Sequence, residues 1–165
     1  MLSDKSMGAG NQQERLDAKW VVGFVDGEGC FHVGINHQPG MRLGWQVLPE
    51  FRVVQHRRDE QILNKLQSFF GCGSVGVNNG DRMEFRVRGL ENLTRVVEFF
   101  ENNPLRTRKQ EDCAKFAQVV KKLRSGEHLT TSGIESIARI ALTMNRRRNS
   151  SASRILRDCT PDTQN

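Results

Sequence analysis

Residues 20–29 read WVVGFVDGEG, from Trp20 through Gly23, Asp26, Gly27 and Glu28 to Gly29. The stretch opens as an apolar helix and closes in two acids separated by a glycine. From Arg15 to Asp26 the spacing of Leu16, Trp20, Val21, Phe24 and Val25 predicts a helix with one apolar face. Gly23 and Gly27 stand four residues apart on one side of it, where a second helix can approach closely for want of side chains. Acids at a helix C-terminus oppose the macrodipole, which is already negative there. A local rule broken so plainly points to a compensating function. A divalent cation is the natural compensation, because carboxylate and carbonyl oxygens are hard ligands and the helix end adds negative potential.

Strands follow. Phe31, Val33 and Ile35 alternate with His32, Gly34 and Asn36 over Cys30–Gln38, a half-buried strand that Pro39-Gly40 ends. A second runs from Trp45 to His56, with Val47, Phe51 and Val53 on one face and Gln46, Glu50 and Arg52 on the other; Pro49 predicts a bulge or an unpaired position. Asp59–Phe70 is an amphipathic helix stopped by Gly71. Ser74–Asn78 and Arg82–Arg88 form a hairpin around Asn79-Gly80, with Met83, Phe85 and Val87 inward and Arg82, Glu84, Arg86 and Arg88 outward. Helices are expected over Leu90–Glu101, Arg108–Leu123 and Thr131–Met144. The order is α+β, with one sheet face packed on helices. The other face carries Arg, His, Asn and Gln, and suits a DNA major groove.

Composition agrees. The chain has 165 residues, 27% of them charged, and a net charge of +6. That describes one folded domain with a basic balance suited to an anionic partner. Cys30, Cys72, Cys113 and Cys159 lie too far apart for a zinc knuckle or redox pair and suit a reducing compartment. No apolar run or N-terminal segment marks a membrane span or secretory leader, so a soluble intracellular protein is expected, with no membrane partner. Residues 1–13 are expected to form a mobile arm, 14–145 the domain, and 146–165 a basic, frayed tail; Arg146, Arg147 and Arg148 read as a solvated or phosphate-touching run.

Val21–Gly29, VVGFVDGEG, resembles the LAGLIDADG motif position by position in residue class, and Cys30-Phe31 continues it in the family's manner. The resemblance extends over roughly residues 16–144 through the order of elements, through Gln55 ending the second strand, and through Lys109 opening the helix after Asn103-Pro104-Leu105. It implies a homing endonuclease, group I intron-encoded, with an αββαββα fold, a curved antiparallel DNA-binding sheet and, here, extra C-terminal helices. A second glycine-and-acid pattern after a helix does not occur in the chain. One copy implies a homodimer reading a near-palindromic double-stranded DNA target, with Val21, Val22, Gly23 and Val25 at the dimer interface.

By the same resemblance Glu28 is the metal carboxylate and the Gly27 carbonyl a second ligand, for Mg²⁺ or its substitute Mn²⁺. Gln55 positions the attacking water, and Lys109 offsets charge on the scissile phosphate, with Arg108 as the alternative one residue away. The family name has Asp where Glu28 stands, one methylene shorter, and some relatives carry a basic residue where this chain has Asp59, for which Arg57 or Arg58 can serve. Asp26 is assigned no more than solvating the helix end. The DNA-facing set is His32, Asn36, Gln38, Gln46, Arg52, Arg82, Glu84, Arg86 and Arg88; the competing reading for the arginines is cross-strand pairing with Glu50 or Glu84. Alternatives on the same fold are an intron maturase, whose partner is intron RNA, and a non-cleaving DNA-binding module. Glu28, Gln55 and Lys109 together favour cleavage. The host compartment is expected to be a bacterial cytoplasm or the chloroplast or mitochondrion that encodes the protein.

Overall fold

The computed structural model describes residues 15–145 and 150–158. The expected N-terminal arm and Arg146, Arg147 and Arg148 lie outside the described residues.

Helix α1 spans Ala18–Glu28 and leads directly into β1, Gly29–His37, which pairs with β2, Trp45–His56. Helix α2, Glu60–Phe70, leads to the hairpin β3, Ser74–Asn79, and β4, Arg82–Val87. Helices α3, Leu90–Asn102; α4, Lys109–Arg124; α5, Thr131–Leu142; and α6, Ser150–Asp158, complete the order. The strands form one antiparallel sheet in the order β1-β2-β4-β3, so the two hairpins join through their second strands.

Helix α1 begins three residues later than its apolar spacing suggests, because Asp17 caps it: the carboxylate accepts from Lys19 N at 2.8 Å and Trp20 N at 3.2 Å. Pro49 makes no bulge. It sits in register opposite Val33, and pairing of β2 with β4 starts only at Phe51, so Pro49 has a strand partner on one side alone. The second hairpin turns on Gly80-Asp81 rather than Asn79-Gly80. A register shift between Val77 and Asn79 absorbs one residue, and Gly80, at φ 53°, takes the left-handed position.

Period-two alternation sorts the sheet into two faces. Phe31, Phe51 and Phe85 point to the helices and are at most 1% exposed. Phe31 packs on Phe51, Phe100 and Phe116 at ring-centroid distances of 5.1, 5.5 and 5.4 Å, joining β1 to β2, α3 and α4. Cutting Phe31 to Ala at such a junction costs ~3–5 kcal/mol. On the opposite face Asn36, His56, Arg82 and Arg88 are exposed.

The C-terminal segment is a correction. Residues 150–158 are helical rather than frayed: Ala152 and Ile155 are fully buried, and the Arg154 guanidinium lies 5.7 Å from the Trp45 ring centre. Just before it, Asn145 Nδ2 donates to the Phe31 carbonyl at 2.9 Å.

Candidate functional site

The C-terminal end of α1 is where the acids, the strand entry and the start of α4 converge. Glu28 is the last helical residue and is exposed; it makes no hydrogen bond or ion pair among the described residues. The carbonyl of Gly27 belongs to the last turn, whose oxygens have no intrahelical donor. Gly29 must be glycine for space: a Cβ there would sit 2.5 Å from Val25 Cγ1 and 2.9 Å from the Val25 carbonyl oxygen.

Asp26 is more than a solvated acid. Its carboxylate accepts from Arg106 N at 2.7 Å, Thr107 N at 3.1 Å and Thr107 Oγ1 at 2.7 Å. Desolvation pushes its pKa up, but these three hydrogen bonds and the Lys109 charge outweigh that and hold it below the usual value. The clasp fixes residues 105–108 against the helix end. Lys109 then opens α4 and donates from Nζ to the Val25 carbonyl at 2.9 Å. A cation so placed meets the negative end of the α1 dipole. Partial burial lowers the Lys109 pKa, and Cys30, Asp26, Glu28 and Asp112 offset part of that. Arg108, by contrast, has a side chain 90% exposed and leans toward Glu111, so Lys109 alone of this pair reaches the acids.

Gln55 belongs to this corner by register. It shares the helix-facing side of β2 with Phe51 and Val53, two residues beyond the Val53 that pairs with Gly29. Its partial exposure places it at the rim of that side, not on the open face.

The expected interface on α1 is corrected in part. Val21 and Val25 are fully buried and Val22 is 8% exposed, so all three belong to the chain's own core. Gly23 is exposed, and the open side of the helix is Trp20, Gly23, Phe24 and Gly27. That is a second stripe at helical spacing, legible in the sequence but hidden behind the more regular valine stripe. Trp20, 42% exposed, stacks on Phe24 with ring centres 4.7 Å apart. A Cβ added at Gly23 or Gly27 would meet nothing within 4 Å. Each glycine in a helix interior gives up ~1 kcal/mol relative to Ala. Nothing among the described residues requires either one.

On the open sheet face the register sets His32 opposite Glu50, Asn36 opposite Gln46, and Arg52 between Cys30 and Arg86. Asn36 and Arg82 are exposed and Gln46 is partly so. Gln38 is also exposed but lies beyond β1, in the connecting turn, where its N–H donates to Gly44 O at 2.7 Å. Burial and the nearby Arg52 lower the His32 pKa against the pull of Glu50, so the imidazole is neutral at pH 7. The competing reading of cross-strand pairing holds for Arg86 and Arg88, while Arg52 pairs with Glu50 on its own strand. Glu50 Oε1 lies 3.2 Å from Arg52 Nε, and Oε2 lies 2.8 Å from Arg88 NH2 and 4.0 Å from Arg86 Nε. Arg86 also binds Glu84 through its terminal nitrogen. Glu84, expected among the DNA-facing side chains, is only 6% exposed and Glu50 7%. Glu84 therefore lies buried against Arg86 rather than at the surface.

No group of three His, Cys, Asp or Glu side chains able to hold a metal forms among the described residues. Of the cysteines, burial pushes the Cys113 thiol up to about 12, which leaves it unreactive. No described helix is long and apolar enough to cross a membrane.

A family model for LAGLIDADG endonucleases matches residues 21–120. The chain is 33% identical over 129 residues to the probable intron-encoded endonuclease 3 of Neurospora crassa, covering 76% of this chain and 24% of that protein. It is 31% identical to the DNA endonuclease I-CvuI of Chlorella vulgaris, covering 68% of this chain and 69% of that one. The chain thus spans about a quarter of several curated relatives it matches, 24% in the Neurospora case. The crystal structure of the homing endonuclease I-TnaI superposes with a TM-score of 0.85 at 48% identity, covering 89% of this chain and 100% of that one. I-SmaMI, solved on an uncleaved DNA target with calcium ions, superposes with a TM-score of 0.83 at 29% identity, over 91% of this chain and 54% of its own.

Proposed function

Since the chain belongs to the LAGLIDADG endonuclease family, we propose that it is a site-specific, divalent-metal-dependent endonuclease cutting double-stranded DNA as a homodimer. One observation carries this: an unpaired carboxylate, Glu28, ends a helix whose open side is two glycines flanked by Trp20 and Phe24. One chain offers one such carboxylate. A second copy packed glycine to glycine brings two together, with two Gly27 carbonyls, and that oxygen set suits a hard cation such as Mg²⁺. The sizes of the relatives support pairing: the chain matches the whole of I-TnaI but 54% of the I-SmaMI chain.

A bound divalent cation supplies Lewis acidity at the phosphodiester. Lys109, tethered at Val25 O, presents positive charge beside Glu28 for the scissile phosphate. Gln55, at the rim of β2, offers an amide that orients water toward the phosphorus. The Asp26 clasp keeps Lys109 in place without touching substrate. The open sheet face, with Arg82, Asn36 and Gln46 at its surface, lies along the duplex.

The test is in vitro selection from a plasmid library of randomised duplex targets, with Mg²⁺ or with chelator, followed by sequencing of cut ends. Glu28→Gln is expected to abolish Mg²⁺-dependent cutting and to leave duplex binding within about threefold of wild type, as expected when only a catalytic ligand is lost. Sedimentation is expected to show a dimer. Equal loss of binding and cutting, or a monomer that cuts both strands, would contradict the assignment.

A further inference from the structure

The open sheet face, proposed to lie along DNA, holds two carboxylates withdrawn from its surface, out of reach of a cytosine amino group. Glu50 and Glu84 are 7% and 6% exposed, and both are ion-paired to arginine. Glu50 alone engages Arg52 from its own strand and Arg86 and Arg88 from the β4 side. Both Nε and NH2 of Arg88 reach the same Glu50 oxygen at 2.8 Å, across 38 residues of sequence. Glu84 takes Arg86 from the other side. Arginine loses much rotamer freedom when a free side chain is ordered. Here part of that loss is incurred before any ligand arrives. Each paired guanidinium also keeps donors unused by the carboxylates, since the group carries five.

We propose that Glu50, with Glu84 beneath it, is a positioning group for sequence discrimination: it holds the Arg52, Arg86 and Arg88 guanidiniums in fixed orientations toward base edges and withholds part of their charge from phosphates. This inference rests on the DNA-binding reading above. An unheld arginine swings to whichever phosphate is nearest, which gains affinity without gaining sequence information. An arginine already tied at one edge of its fork can satisfy its remaining N–H groups only at an acceptor of the right position, such as guanine O6 or N7. The three arginines sit across β2 and the end of β4, so the assignment concerns one contiguous block of the target.

The experiment uses the full chain and two probes: a random-sequence duplex, and a pool of duplexes selected from randomised DNA by the wild-type protein. Binding is measured in Ca²⁺ over a salt series. Glu50→Gln keeps the shape and removes the charge. Glu50→Asp keeps the charge and shortens the reach. Glu98→Gln, on the exposed side of α3, makes the same change in net charge away from the sheet. Glu50→Gln is expected to bind the random duplex roughly tenfold tighter at 0.1 M salt, with a log K against log salt slope steeper by about 1, one further phosphate neutralised. Pools selected with it should lose base preference over one block and keep it elsewhere. Glu50→Asp should lose the same preference with random-duplex affinity little changed. If Glu50→Gln matches Glu98→Gln on both probes, or if folded Glu50→Gln loses affinity equally for both, the assignment is wrong. If the wild type binds no duplex, the DNA-binding reading fails first, and this inference with it.

Discussion

Replacing Asp26 by Ala tests whether the second-last acid of the motif organises the site or merely sits in water. The side chain accepts three hydrogen bonds, from Arg106 N, Thr107 N and Thr107 Oγ1, at 2.7, 3.1 and 2.7 Å. Each bond at a solvent-accessible position is worth about 1 kcal/mol net, and the released donors can turn to water, so no buried-donor penalty is added. The sum is roughly 2–3 kcal/mol. For a chain of this size that lowers Tm by roughly 4–12 °C. The pH dependence has a definite sign. The folded pKa of Asp26 is depressed below 3.8, so its contribution is fully present above the unfolded value and is lost as pH falls through the folded one. Thermal melts followed by circular dichroism at pH 7 should therefore separate wild type from Asp26→Ala, with Asp26→Asn between them. The charge-dependent part of the gap, read between wild type and Asp26→Asn, should narrow only below about pH 3.8. Cutting should fall as well, because the segment that delivers Lys109 is no longer tied to α1. Equal melting temperatures at pH 7, or a wild-type to Asp26→Asn gap unchanged down to strongly acid pH, would refute the clasp.

Lys109, with its pKa lowered from 10.5, should give the cutting rate an alkaline limb below the ordinary lysine range. Lys109→Arg should move that limb upward in a pH–rate profile, and a limb unmoved by the substitution would assign it to another group. Gly27→Leu should leave the melting temperature within a few degrees of wild type, because a Cβ there meets nothing within 4 Å, yet sedimentation should show a monomer. Gly29→Ala should do the reverse, losing about 1–3 kcal/mol of stability to overpacking, since its Cβ would lie 2.5 Å from Val25 Cγ1. Retained dimerisation in Gly27→Leu would place the interface elsewhere.

Much of the framework was legible in the residues. Two alternating runs joined by a Pro-Gly turn specify the first hairpin, because a strand with one buried face must alternate. The two predicted apolar faces share the helix-facing side of the hairpin, where Phe31 pairs with Phe51 and Ile35 with Val47, while Val33 faces Pro49 and Val53 faces Gly29. The first helix followed from the apolar spacing of Trp20, Val21, Phe24 and Val25, though its start lies at Ala18 rather than Arg15. The turn of the second hairpin was off by one residue, because a register shift depends on cross-strand pairing, not on which dipeptide turns best.

Tertiary structure decided what depends on partners distant in sequence. The valines chosen as an interface are core, because an amphipathic helix shows which stripe is apolar but not which neighbour covers it. Trp20, Gly23, Phe24 and Gly27 became the open side only once the sheet and the helices had taken the other. Asp26 found its donors 80 residues away, and Arg88 its acceptor 38 residues away; no local pattern encodes either. The same holds for the open sheet face. Alternation said that Glu50, Arg52, Glu84 and Arg86 would point outward, but an outward side chain can meet water, DNA or its neighbour. Same-strand alternation already sets Arg52 beside Glu50 and Arg86 beside Glu84, but only the packing of β2 against β4 brought Arg86 and Arg88 to Glu50, since those partners meet in space and not in sequence.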